Sequence, residues 1–95
     1  MTQESDKYYL VKLVKGPVWQ PGVSFGLLAL QFKHMRNLWR LQRLKKTVLS
    51  GPFSDNGEIR GVVIFKAASA DEVRELIERD PAIRAGRLDY QISQF

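Results

Sequence analysis

LLALQFKHMRNLWRLQRLKK, residues 27–46, decides the fold. At about 100° per residue, Leu27, Leu28, Leu30, Phe32, Met35, Leu38, Trp39, Leu41 and Leu44 share one broad arc. Lys33, Arg36, Arg40 and Arg43 fall on the opposite arc. The spacing predicts a long amphipathic helix with Phe32, Met35, Leu38 and Trp39 in the core and the cations in water. His34 is the only histidine of the chain, and it falls inside the apolar arc beside Leu27, Leu38 and Leu41. Gln31 and Gln42 interrupt the arc near it. A helix that only filled a core would have no use for three polar groups there.

Before the helix, YYLVKLVK (8–15) is aromatic and branched, which predicts a strand. Its near-continuous apolar run implies burial on both faces. KGPVWQPGVSFG (15–26) carries two prolines and three glycines and reads as a loop, long enough to form a lid or a pocket wall. After the helix, TVLSGPF (47–53) reads as a short strand. SDNG (54–57) supplies hairpin chemistry, with Asp55 and Asn56 as turn residues. EIRGVVIFKA (58–67) is a strand in which Gly61 signals a bulge or a close backbone approach. Ser69 followed by Glu72 forms a capping box for a second helix with an apolar stripe of Val73, Leu76 and Ile77. Asp80-Pro81 stops it, because a residue before proline avoids the α region. PAIRAG (81–86) reads as a turn or short helical piece. LDYQIS (88–93) alternates as a strand with one buried face.

The order β-α-β-β-α-β predicts an α+β, ferredoxin-like domain: a four-stranded antiparallel sheet with both helices on one face. The other face is left open and needs cover. Two such sheets packed face to face give a dimeric α+β barrel, so a homodimer is the expected assembly. Residues 1–6 are expected to be a disordered tail and residues 7–95 a single domain.

Ninety-five residues suit one small domain, short enough for an oligomer to share a core. The net charge of +5 is concentrated in Lys33, Arg36, Arg40, Arg43, Lys45 and Lys46. No nucleic-acid motif accompanies these cations, so they read as a solvated helix face and a nucleic-acid partner is not expected. The chain has no cysteine, which excludes disulfide and thiolate chemistry and fits a reducing compartment. With a single histidine there is no familiar structural zinc set. The first residues lack the apolar run of a signal peptide, and no stretch approaches the roughly 18 apolar residues that span a bilayer. A cytoplasmic protein with no membrane partner, metal or cofactor is expected. There is no Gly-x-Ser-x-Gly elbow, P-loop or dinucleotide fingerprint. What remains is acid–base chemistry.

Two motifs carry a family resemblance. HMRNLWRLQRLKKTVLSGPF places a histidine in the first helix and Ser-Gly-Pro after the following strand. DPAIRAGRLDYQISQF places Asp-Pro, then Ala-Gly, before a last strand that ends in an aromatic residue. In this order and spacing, over roughly residues 7–95, the chain resembles the YCII-related family. The resemblance implies a dimeric α+β barrel and a small-molecule enzyme with a histidine–aspartate pair, here His34 and Asp80. Ser50, Gly51 and Pro52 match the turn that borders the family's site. One branch of the family is a dehydrochlorinase of a chlorinated aromatic intermediate, and most members have no assigned substrate. The chain departs from the family at Leu44-Lys45-Lys46, where many members carry a glycine, and in the loop containing Trp19 and Phe25.

Each candidate has a structural reading beside its functional one. Histidine moves between neutral base and charged acid near neutral pH, so His34 suits proton transfer, while a lone histidine among apolar residues also suits a hydrogen-bonded core position. Asp80 can orient and stabilise such a base; it can equally cap the turn that follows it, and the two roles can coexist. Ser50 is a strand-end residue or a ligand donor. Gly51 serves backbone geometry or presents an amide to an anion. Tyr8, Tyr9, Trp19 and Trp39 read as core, or as an apolar wall if a pocket lies between the sheet and the first helix. The expected function is a cofactor-independent lyase or isomerase of an unknown small molecule, anionic or aromatic. The alternative is a non-catalytic ligand-binding or interaction module on the same fold.

Overall fold

A strand whose burial alternates residue by residue runs through the centre of the molecule. The computed structural model describes residues 7–95 apart from Val23 and Asn56, so the tail at residues 1–6 and the turn role of Asn56 lie outside the described residues. In the central strand β1 (Lys7–Lys15), Tyr9, Val11 and Leu13 are buried while Leu10, Lys12 and Val14 are half-buried. β1 pairs antiparallel with β3 (Ile59–Ala67) on one side and β4 (Leu88–Gln94) on the other. β2 (Thr47–Pro52) adds outside β3, giving the order β2-β3-β1-β4. The helices α1 (Phe25–Arg43), α2 (Ala70–Ile77) and α3 (Pro81–Arg84) complete the predicted order, with the PAIRAG segment supplying the short third helix.

Tyr9, Val11 and Leu13 share their face with Val63, Phe65 and Ala67 of β3, and this face packs on Leu38 and Leu41 of α1 and Val73 and Ile77 of α2. The registers place Leu10, Val14, Val62 and Ile64 together on the opposite face. The expectation of burial on both faces of β1 therefore fails for the single chain: a two-layer domain covers one side of its sheet.

The reading of α1 also needs correction. Its buried residues are His34, Leu38 and Leu41, whereas Phe32 is 59% exposed and Trp39 55%. The apolar arc is wider than the strip a sheet can cover, and its outer part faces solvent. Tyr9 is core as expected, Tyr8 is exposed, and Trp19 is half-buried.

The ends of the helices follow local chemistry. Ser24 caps α1, its Oγ accepting from the Leu27 amide at 3.2 Å. Ser69 caps α2 through the Glu72 amide at 3.2 Å, and the Glu72 carboxylate reaches back to the Ala68 amide at 3.0 Å. Both α1 and α3 close with the same paired backbone bonds. Lys46 N–H donates to the Leu41 carbonyl and Lys45 N–H to the Gln42 carbonyl; Arg87 N–H donates to Ala82 and Gly86 N–H to Ile83. The residue that turns left-handed is Gly86 at φ 77° in α3 but Lys45 at φ 60° in α1. Lys45 stands in the Leu44-Lys45-Lys46 stretch where the family resemblance leads one to expect glycine.

Candidate active site

Asp80 is placed by its neighbour. Proline at 81 keeps Asp80 extended, at φ −66° and ψ 132°, and opens α3 at its first position. The Asp80 carboxylate then caps α3, accepting from the Ala82 amide at 2.8 Å. α3 packs against α1, which brings the same carboxylate to His34, forty-six residues earlier. His34 Nδ1 lies 2.9 Å from Oδ1 and 2.8 Å from Oδ2. Asn37, one turn further along α1, donates to Oδ2 at 3.0 Å. Asp80 thus performs the capping and the histidine-orienting roles together.

Both partners are buried, His34 at 5% exposure and Asp80 at 0%. A buried carboxylate is tolerated when donors surround it, and three groups do so here. An ionised carboxylate only accepts, so Nδ1 carries the proton and the Nε2 lone pair is left as the basic position. Nε2 has no hydrogen-bond partner among the described residues.

His34 forms part of the wall of a cavity of about 310 Å³ between α1 and the sheet. Ser50, Gly51 and Pro52 line the same cavity from β2, as does Gln31 from α1. Leu13, Met35, Leu38 and Leu88 supply apolar wall. Asp80 is absent from the wall and sits behind the imidazole. The imidazole faces the pocket and is held from behind by the carboxylate, and the pocket's volume is at the low end of small-molecule sites.

Sequence reasoning missed two charged lining residues, Arg60 and Arg87, whereas Trp19 takes the pocket-wall place that was one of its two readings. Trp19 comes from the loop read as a pocket wall. Arg60 owes its place to a bulge, since the β1–β3 register pairs Leu13 with Gly61 and Val14 with Ile59 and leaves Arg60 unmatched against β1. Gly61 was the signal. A side chain there would stand 3.0 Å from the Gly51 carbonyl, so both readings of this glycine hold. Nothing in the sequence pattern marked Arg87. Tyr90 lies outside this wall; burial and the hydrogen bond it donates to Glu78 push its pKa up to about 12.

A sequence model of the YCII-related domain matches residues 21–95. Among solved structures, the chain is similar to a 5-chloro-2-hydroxyhydroquinone dehydrochlorinase from Burkholderia phenoliruptrix, solved in complex with 2,5-dihydroxybenzoquinone. The two share 23% identity over 93% of this chain and 92% of the other, with a TM-score of 0.66. That likeness confirms the ferredoxin-like architecture. No curated protein matches the chain.

Proposed function

We propose, on the premise that this chain belongs to the YCII-related family, that it is a cofactor-independent lyase or isomerase that moves a proton on a small anionic or aromatic molecule. One observation carries the reading: a buried imidazole fixed through Nδ1 by a fully partnered carboxylate and presented to an open cavity. His34 Nε2 takes a proton from carbon or oxygen of the ligand. Asp80 stabilises the imidazolium that results and holds the ring in place. Departure of a leaving group from the carbanion gives elimination; return of the proton to another atom gives isomerisation. The Ser50 hydroxyl is the group offered for a developing oxyanion, since the Gly51 amide belongs to the β2–β3 ladder.

The reading extends to assembly. A second copy covers the open sheet face through Leu10, Val14, Val62 and Ile64, forming the dimeric barrel. A mass of one chain in sedimentation equilibrium overturns that part.

The catalytic role is tested by incubating the protein in D2O with chlorinated hydroquinones and small carbon acids. Chloride release and proton exchange are followed by ion electrode and NMR. Turnover of one of these compounds is expected, and His34→Gln slows it by about 10²–10⁴-fold, the usual worth of a positioned base. Full turnover by His34→Gln removes the histidine from the chemistry. Binding without turnover across the panel supports the non-catalytic module instead.

A further inference from the structure

Trp19 is surrounded by cations. The Arg87 Cζ lies 4.2 Å from its ring centroid, the Arg60 Cζ 5.2 Å and the Lys15 Nζ 5.6 Å. The loop that carries Trp19 is fastened beside Arg87 by two backbone bonds, Gly16 N–H to the Arg87 carbonyl and Val18 N–H to the Gly86 carbonyl, each 2.9 Å. None of the three cations forms an ion pair with a carboxylate among the described residues. Among the described residues each guanidinium is tethered by one nitrogen only: Arg60 Nη1 donates to the Gly57 carbonyl and Arg87 Nη1 to the Gln20 carbonyl, both at 3.1 Å. Among the described residues, Arg60 Nε is the buried side-chain nitrogen without a hydrogen-bond partner.

Three like charges held round one ring repel one another, and a desolvated guanidinium nitrogen without a partner costs further free energy. Packing does not demand either. The indole face offsets part of the repulsion by cation–π attraction, yet it cannot supply the oxygen acceptors that a guanidinium takes. Arg60, Arg87 and Trp19 belong both to the wall of the His34 cavity and to an adjoining one of about 360 Å³ that Lys15 also lines. The cation cluster and the imidazole therefore look into connected space.

We infer that Arg60, Arg87 and Lys15 around Trp19 form an anion subsite that selects a planar organic oxyanion and delivers its ring to His34. The inference rests on the proposed acid–base role of His34 for what happens next, but the recognition step stands on the cation cluster. The free guanidinium donors hold the ligand's carboxylate or ionised enol. The indole and the apolar wall take its flat body, and the proton to be moved lies at the His34 end. The subsite thus sets the substrate class: acids are retained, and neutral molecules of the same shape pass by.

The test uses 2-hydroxybenzoate and its neutral analogue 2-hydroxybenzamide, titrated against the full chain. Trp39→Phe provides the background, leaving Trp19 as the single tryptophan. Saturable quenching by the acid is expected, with affinity falling as salt rises and the amide at least about tenfold weaker, the worth of one charge-assisted contact. Arg60→Gln and Arg87→Gln each weaken the acid by about tenfold and leave the amide unchanged. Lys15→Gln, at a side chain without a hydrogen bond among the described residues, weakens the acid less and serves if an arginine variant fails to fold. Equal affinity for acid and amide, unchanged binding by the variants, or no saturable binding of the acid overturns the subsite. Failure of the catalytic reading looks different: the acid still binds to His34→Gln and to the wild type, but nothing is turned over.

Discussion

Asp80 and the Arg60–Arg87 pair are charged groups at two ends of one region, and the fold treats them in opposite ways. Asp80 has no exposure, and its oxygens meet an imidazole, a side-chain amide and a backbone amide. Arg60 and Arg87 face cavity space, hold one backbone carbonyl each among the described residues, and share an indole with a third cation. One charge is finished by the protein; the others await something from outside. A group completed internally orients a neighbour whatever is bound, whereas an incomplete one discriminates among ligands because its partner is the ligand. Asp80 and the arginines thus divide positioning from selection.

The largest expected effect breaks the completed end. Asp80→Ala strips the cap from α3 and leaves the His34 and Asn37 donors facing a void. Truncating one member of a buried, hydrogen-bonded pair costs about 3–5 kcal/mol. Against the roughly 5–15 kcal/mol that holds such domains together, this brings the variant near unfolding. Urea denaturation of wild type and variant measures the difference. A loss under about 1 kcal/mol would show that the carboxylate is not a structural keystone and would dissolve the contrast with the arginines.

How far the sequence foretold these two ends follows from the range of the interactions. Periodicity is local, so alternation in LDYQIS, the Ser69–Glu72 capping box and the helical spacing of residues 27–46 all translated directly into elements. Asp80-Pro81 marked a helix end by the same local logic. The pairing of His34 with Asp80 spans forty-six residues, and it entered through family resemblance rather than through spacing. Trp19, Arg60 and Arg87 come from a loop, a bulged strand and a helix-to-strand turn. No periodic pattern links three such positions, and a lone arginine reads as surface until the chain has folded around it. The error at Phe32 and Trp39 has the reverse cause: hydrophobicity marks what can be buried, but the width of the covering sheet decides what is.

Lys45 sharpens the comparison, because it is unfavourable without being incomplete. It sits at φ 60°, where a side chain costs about 1–2 kcal/mol and glycine nothing. Gly86 fills the equivalent place in the other helix end. Lys45→Gly recovers this cost less the roughly 0.5–1 kcal/mol of chain entropy that glycine adds to the unfolded state. The net expectation is a gain of about 0.5–1 kcal/mol, read as a rise in Tm, with no change in anion binding. If the variant loses binding, the strained turn is coupled to the cavity and the cation cluster does not act alone.

The smallest effect is the most discriminating. Arg87→Gln removes a cation stacked on Trp19, worth about 0.5–1 kcal/mol at a partly exposed site. It also relieves repulsion from Arg60 and Lys15, an effect of similar size and opposite sign. Glutamine keeps a donor for the Gln20 carbonyl. The stability of the ligand-free protein should therefore move by no more than about 0.5 kcal/mol in either direction, a shift comparable to that of an ordinary surface substitution. The same variant binds the anion about tenfold more weakly. A residue whose removal leaves the fold in place and weakens the anion alone is held there for its ligand; a large loss of stability would instead make Arg87 a strut for the Trp19 loop and move selection to Arg60 and Lys15.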